Sequence, residues 1–350
     1  MEGETMASGL LEYSGLVTKT KAMHGRLLSR ETIMELSECE SVEDILGFLR
    51  EYGSYAPIYR SHDEIAHRAQ VEAVIDDSLY SDYGKLYRFS SGEQRKGLEI
   101  LFLRYEMNVL KECLEYVHKR DGERNLAYLN LFFGQHASYD TTAVTEAKSM
   151  SELLQALAGT EYEGFLRRLV ENEGMTHADY AIQLDILYYK MAWKRRGKLR
   201  NAKTRDIYTQ ILGTEIDWQN IMWMYRSKRF YDRKQSDIYA DMIPITYLLK
   251  RKELKSMLES ETIEEFVEQL GKTAYFTGKD ALVSLGDEVT FRQMMEKTYQ
   301  KMCRKYPMSI APVIKYLYDK ENEIETLTTI LEGVRYRIPA REIQELVLVT

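Results

Sequence analysis

The residues best able to do chemistry in this 350-residue chain are six histidines, three cysteines and a large number of acids. Only His62 and His67 are close neighbours, in His62-Asp-Glu-Ile-Ala-His67. Zinc-binding histidines on a helix stand four apart, so that both face one way. Five apart, they diverge by about 140° on a helix of 3.6 residues per turn. The pair therefore reads as an exposed helix start, and His24, His118, His136 and His177 are scattered. Cys39, Cys113 and Cys303 are odd in number and form no CxxC, which is cytosolic usage with core thiols. Carboxylates are mostly interleaved with Lys and Arg, and the paired acids Asp76-Asp77 and Glu264-Glu265 read as solvated faces rather than catalytic dyads. GxxxxGK[ST], GxGxxG and GxSxG are all absent. The expectation is a chain with no catalytic residue, no cofactor and no metal.

One concentration of charge stands out. Lys190, Lys194, Arg195, Arg196, Lys198, Arg200, Lys203 and Arg205 fall in a stretch, 190–205, that contains no acid. Cations at the end of a helix suit the negative pole of its dipole. The same cluster could dock an acidic partner, and Lys194, Arg195, Arg196, Lys198 and Arg200 are the candidate docking residues. The net charge of −7 argues against nucleic acid as the main ligand. The opening MEGETMASG lacks a basic n-region, so no signal peptide is expected. No apolar run approaches the roughly 20 residues of a membrane span. The longest uncharged stretch, 125–139, is short and contains Asn, Gln and His.

The elements that carry these residues are helices. Proline is scarce at 5, and no long run alternates strictly between apolar and polar. Tyrosine is abundant at 26, which suits half-buried helix surfaces because the ring is buried while the hydroxyl stays wet. Residues 27–55, LLSRETIMELSECESVEDILGFLREYGSY, align without a gap with 248–276, LLKRKELKSMLESETIEEFVEQLGKTAYF. The match crosses a turn marked in both copies by a hydroxyl residue three positions before an acid: Ser41 and Asp44, Thr262 and Glu265. That spacing is a helix cap, in which the acid can also reach back to the cap residue's own N–H. A weaker third copy has Ser149 and Glu152, then Leu153, Leu154 and Leu157, but no LLxR helix before it. The late segments YEMNVLKEC (105–113), DWQNIMWMY (217–225) and EIETLTTIL (323–331) repeat in the same way. Each places a polar residue, Asn108, Asn220 or Thr326, inside an apolar helix, where a hydrogen bond to backbone is expected. Three units follow, at 12–122, 123–233 and 234–350.

In chain order, residues 1–11 are expected as a loose tail and 53–60, with Pro57, as a loop. Helices are expected at 63–83 and from Ser90-Ser91-Gly92-Glu93 onward. The second carries the stripe Leu98, Phe102, Tyr105, Val109, Cys113 and Val117. The polar stretch 119–125 reads as a link. Thr176-His-Ala-Asp179 caps a helix striped by Ile182, Ile186, Tyr189 and Trp193. Thr214 or Asp217 is expected to start the next helix, through 232. Helices at 290–304, 309–335 and 340–348, the last with Pro339 at its first turn, complete the chain.

YSGLVTKTKAMHGRLLSRETIMEL, the cap turns, EIDWQNIMWMYRSKRFYD and ILEGVRYRIPAREI, in that order, resemble the C subunit of the V-type (A-type) ATPase, itself similar to the d subunit of the eukaryotic vacuolar enzyme. The resemblance covers about 12–350 and rests on the order of the segments. It implies an all-α fold of three similar helical domains forming a funnel around a pseudo-threefold axis. It also implies a non-catalytic rotor component of the central stalk. The D and F subunits of the axle and the membrane ring of proteolipid subunits are its implied partners. Torque would pass through it for ATP-driven H+ or Na+ transport or for ATP synthesis, on the cytoplasmic side of the membrane. Arg26, Leu27 and Leu28 match the entrance of the first family unit, and Asn108 and Asn220 match the recurrent late-helix asparagine; all five are expected to be structural. The alternative is a helical-repeat scaffold outside the ATPase, which would show more and shorter repeats.

Overall fold

The computed structural model describes residues 2–59, 68–119, 131–172, 174–231, 234–276 and 288–348. Among them there are helices and no strand. α1 spans Glu2–His24, so residues 2–11, expected as a tail, are its first turns. Met6, Ala7, Leu10 and Leu11 are strong helix formers and no proline interrupts them. α2 (Arg30–Ser37) and α3 (Val42–Glu51) form the first repeated block. α4 (Ala56–Tyr59) is a single turn where a loop was expected, with Ala56, Ile58 and Tyr59 buried. Pro57 is tolerated there because the first turn leaves its N–H position unbonded in any case.

α5 covers Arg68–Phe89. Its expected start at 63, with His62 and His67, lies outside the described residues. α6 (Gly92–Lys119) carries the predicted stripe, and all six of its residues are buried. The expected link at 119–125 lies outside the described residues beyond Lys119. Short helices follow: α7 (Leu131–His136), α8 (Thr141–Glu146), α9 (Met150–Ala156) and α10 (Glu163–Val170). α11 (His177–Gly197) opens on a full capping box: the Asp179 N–H donates to the Thr176 hydroxyl and the Thr176 N–H donates to the Asp179 carboxylate. Its stripe is rotated from the expected one, because Ile186 and Tyr189 are buried but Ile182 and Trp193 are only half-buried.

α12 spans Ala202–Arg226 and is capped by Asn201, whose side-chain Oδ1 accepts the Thr204 N–H. Thr214 and Asp217 therefore do not start a helix; they are interior and buried. The helix ends in a wider π turn, Ser227–Tyr231. α13 (Gln235–Ala240) leads to the second block, α14 (Arg251–Glu259) and α15 (Ile263–Gly271). α16 (Glu288–Lys305), α17 (Ala311–Arg335) and α18 (Ala340–Leu348) end the chain close to the expected bounds.

The three cap turns share one geometry. The N–H of Asp44, Glu152 or Glu265 donates to the hydroxyl of Ser41, Ser149 or Thr262, at 3.2, 3.3 and 3.1 Å. The reciprocal contact differs from the expected one. Glu152 and Glu265 accept the N–H of the residue before the cap, Lys148 and Glu261, while Asp44 accepts the Ser41 hydroxyl. Behind each cap the same two positions are fully buried: Ile45 and Leu49, Leu153 and Leu157, Phe266 and Leu270, all 0% exposed. Each such side chain contributes about 1.5–3 kcal/mol by leaving water.

Contacts divide the chain into two compact units. The first comprises Met1–Arg95, Asn108–Met175 and Pro307–Thr350. In it α1, α5 and α17 pack together, α2 and α3 lie on α17, and α18 closes on α17 and α2. Its core joins Leu36, Ile45, Leu49 and Tyr55 to Leu327, Ile330, Leu331, Ile343 and Val347. The second comprises Lys96–Met107 and Thr176–Tyr306. There α12 packs on α11 and α16, and Trp218, Ile221 and Met224 meet Met257, Phe266 and Leu270 of the block.

Gly213 lets the Tyr247 side chain lie directly on α12: a Cβ there would sit 2.3 Å from Cγ of Tyr247. Gly213→Ala is expected to cost about 1–3 kcal/mol by overpacking. Gly47, inside α3 with nothing within 4 Å of its Cβ position, is the contrast. Gly47→Ala is expected to stabilise by about 0.5–1 kcal/mol through helix propensity. Urea denaturation of both variants checks the opposite signs.

Candidate functional site

Among the acids buried inside long helices, Asp217 and Glu323 are distinctive because each accepts backbone N–H from a distant segment. Asp217 is 0% exposed. Its Oδ1 accepts the Tyr247 N–H at 3.1 Å. Its Oδ2 accepts the N–H groups of Leu248 and Leu249 at 2.7 and 2.9 Å, and the Tyr275 hydroxyl at 3.0 Å. One turn on, Asn220 takes both backbone groups of Ile243: its Oδ1 accepts the N–H at 2.8 Å and its Nδ2 donates to the carbonyl at 3.0 Å. The segment 243–249, with Pro244, is thus held by α12 at both ends before the second block begins.

Glu323 in α17 does the same for the first block. It accepts the Leu28 N–H and, at 2.7 Å, the Tyr55 hydroxyl. Leu28 and Leu249 are equivalent in the gapless repeat, and Asp217 and Glu323 each open a late repeated segment. An acid, a leucine N–H and a tyrosine hydroxyl therefore meet twice, although Tyr275 stands one position before the counterpart of Tyr55. The difference lies one turn earlier. Lys320, 0% exposed, donates to Glu323 at 2.7 Å and to the Tyr55 hydroxyl at 2.8 Å. Thr214 stands in that place before Asp217, near the Tyr275 hydroxyl. Burial pushes the Asp217 carboxyl up from its ordinary value, and its three backbone donors and Tyr275 pull it part of the way back. Burial, then the neighbouring carboxylates, raise Tyr55 and Tyr275 beyond any ordinary titration.

The expected site residues are spread over these surroundings. Asn220 makes the predicted bond to backbone. Asn108 is exposed, and the buried polar residue of that turn is Glu106. Leu27 accepts the Tyr52 hydroxyl through its carbonyl at 3.2 Å, Leu28 gives its N–H to Glu323, and Arg26 is exposed. The basic segment is the end of α11, a turn and the start of α12. Lys194, Lys198 and Arg200 are exposed, and Arg195 and Arg196 half-buried. Arg196 lies 3.7 Å from the centre of the Trp193 ring and donates to Thr209 at 2.7 Å, so it also braces α11 against α12. Arg205 donates to the Leu199 carbonyl at 2.8 Å. Glu323 escapes sequence reading, although it stands at the head of a repeated segment, in the same place as Asp217.

Among the described residues, no group of three or more His, Cys, Asp or Glu could hold a metal ion, and no helix is long and apolar enough to cross a membrane.

The family described as ATP synthase (C/AC39) subunit matches residues 16–346. The chain is 25% identical over 347 residues to the C subunit of the A-type ATP synthase of Methanosphaera stadtmanae, covering 94% of this chain and 86% of that one. It is 22% identical to the corresponding A-type ATP synthase protein of Methanocaldococcus jannaschii, covering 98% and 88%. Against that of Pyrococcus abyssi the figures are 26%, 96% and 90%.

Asp217→Ala strands three backbone N–H groups and a tyrosine hydroxyl, and is expected to cost about 3 kcal/mol or more. Lys320→Met leaves Glu323 buried without its cation, at about 3–5 kcal/mol. The pH dependence has a definite sign. Because the folded pKa of Asp217 is raised, its contribution favours folding most below the ordinary value of 3.8 and is lost as pH rises through the folded value. Denaturation at a series of pH values is expected to show that downward slope in the stability of the wild type relative to Asp217→Asn.

Proposed function

The chain belongs to the ATP synthase (C/AC39) subunit family, and from that premise we propose that it is a non-catalytic rotor component of a V/A-type rotary ATPase. It stands between the D–F axle and the membrane proteolipid ring, on the cytoplasmic side, and transmits torque for H+ or Na+ transport or ATP synthesis. Its three units, 12–122, 123–233 and 234–350, surround a pseudo-threefold axis as a funnel.

The observation that carries this reading is the paired acid joint. A late helix holds the LL entrance and the tyrosine of a repeated block: α12 holds the block that follows it, and α17, the last long helix, holds the first block, 27–55. A chain that returns its last unit's helix to its first block has the connectivity a cyclic set of three requires. The joints also suit a part that carries torque, since they grip main chain instead of long, mobile side chains.

Co-purification with the D and F subunits, followed by size-exclusion chromatography at low and moderate salt, tests the proposal. A stoichiometric complex is expected; a folded monomer that joins neither the axle nor the ring would overturn it. Charge reversal of the basic segment, with Arg195, Arg196, Lys198 and Arg200 all changed to Glu, is expected to weaken assembly, and to do so more at low salt than at moderate salt. Unchanged assembly would remove these residues from the interface.

A further inference from the structure

The π turn that ends α12 has a consequence for the surface beside it. It turns Lys228 inward, where the ammonium donates to the carbonyls of Leu258 and Ser260 at 2.9 and 2.6 Å and closes the end of α14. It turns Phe230 outward, at 64% exposure. Between that turn and α15 lies a groove of about 500 Å³, lined by Tyr225, Arg229, Ile263, Glu264 and Val267. Val267 is 39% exposed on its wall. Arg229 lies near two rings, 5.5 Å from the centre of Tyr225 and 5.3 Å from that of Phe230, and donates to the Tyr225 hydroxyl.

The arrangement occurs a second time. Arg335 and Tyr336 stand as far beyond Glu323 as Arg229 and Phe230 stand beyond Asp217. Tyr336 is 65% exposed and Arg335 lies 5.5 Å from its ring centre. Folding gains little from a ring left mostly in water, yet an arginine followed by an exposed aromatic is kept at the end of both helices. Arginine and aromatic residues are the types that concentrate binding energy at protein interfaces.

We propose that the groove on α12 and α15 receives a helix of a partner protein in the rotary complex. That helix sets a large apolar side chain over Tyr225, Ile263 and Val267 and brings a carboxylate to Arg229. The proposal rests on the reading of this chain as a component of such a complex. The two rims carry opposite charges, Arg229 on the α12 side and Glu264 on the α15 side. They fit a helix with an acid on one flank and a base on the other. An anionic lipid surface would meet Arg229 but be repelled by Glu264, so the chemistry selects protein. The guanidinium is already bonded to the Tyr225 hydroxyl, which lowers the ordering cost when a carboxylate pairs with it.

Binding is measured against three probes: the purified D–F pair, the detergent-solubilised proteolipid ring, and vesicles of phosphatidylglycerol. Phe230→Ala, Arg229→Glu and Val267→Asp are each expected to weaken binding to one protein probe by about tenfold or more. Phe230→Ala removes only an exposed ring, so it keeps the test decisive if Val267→Asp fails to fold. If all folded variants bind both protein probes like the wild type, the groove proposal is overturned and the rotor reading stands. A wild type that binds neither protein probe overturns both. Loss confined to the vesicles overturns the proposal by making the occupant a lipid surface.

Discussion

A carboxylate taken out of water must have its lone pairs filled, and this requirement organises the chain around Asp217. The residue sits in mid-helix, where the neighbouring N–H groups are already bonded along α12. Its oxygens can be satisfied only by another part of the chain. The segment 243–249 has the opposite need. It carries no regular structure, and Pro244 keeps it from forming any, so its buried N–H groups have no partners of their own. Acid and segment satisfy each other, and Asn220 fixes the other end. The approach is close enough that position 213 has to be glycine for the Tyr247 side chain to lie on the helix.

The joint at Glu323 meets the same requirement with a lysine added. A buried Lys320 neutralises the acid, but it is itself a charge that must be desolvated, and it is accommodated by bonding both the carboxylate and the Tyr55 hydroxyl. Its ammonium also lies 4.1 Å from the centre of the Tyr55 ring, a further favourable contact for a cation. Thr214 and Lys320 are thus two answers to one electrostatic problem. With Thr214 the acid relies on backbone dipoles and its pKa drifts up; with Lys320 it relies on a full charge. Both joints are stiff, because the acceptor grips main chain, which has far less freedom to rotate away than a side chain.

The helices, the cap turns, the stripe of α6 and the two blocks were legible because each is written in local spacing. A hydroxyl three residues before an acid, or apolar residues three and four apart, mean the same thing wherever they fall. What was not legible depends on distant partners. Asp217 looks like a cap because aspartate usually is one, and nothing near it in sequence reveals Tyr247 or Tyr275. Glu323 lies among other acids and is set apart only by where its side chain goes. Asn108 repeats Asn220 in sequence but sits on the outer side of α6, since the phase of the stripe there is set by Tyr105 and Val109. The π turn adds a residue to one helix, too small a change for periodicity to register.

The middle copy shows how tightly acid and block are coupled. The turn at Ser149 and Glu152 is intact, and Leu153 and Leu157 are as deeply buried as their counterparts. No LLxR entrance precedes it, and the late segment that should carry the matching acid has Tyr105 instead, also buried. These two losses belong together. Without the leucine N–H groups, a carboxylate at 105 would be a buried charge with no donor, at a cost of several kcal/mol. Without the carboxylate, an LL entrance would bury N–H groups with no acceptor. A repeat can keep both halves of the joint or drop both, whereas its cap turn, satisfied within five residues, survives either way.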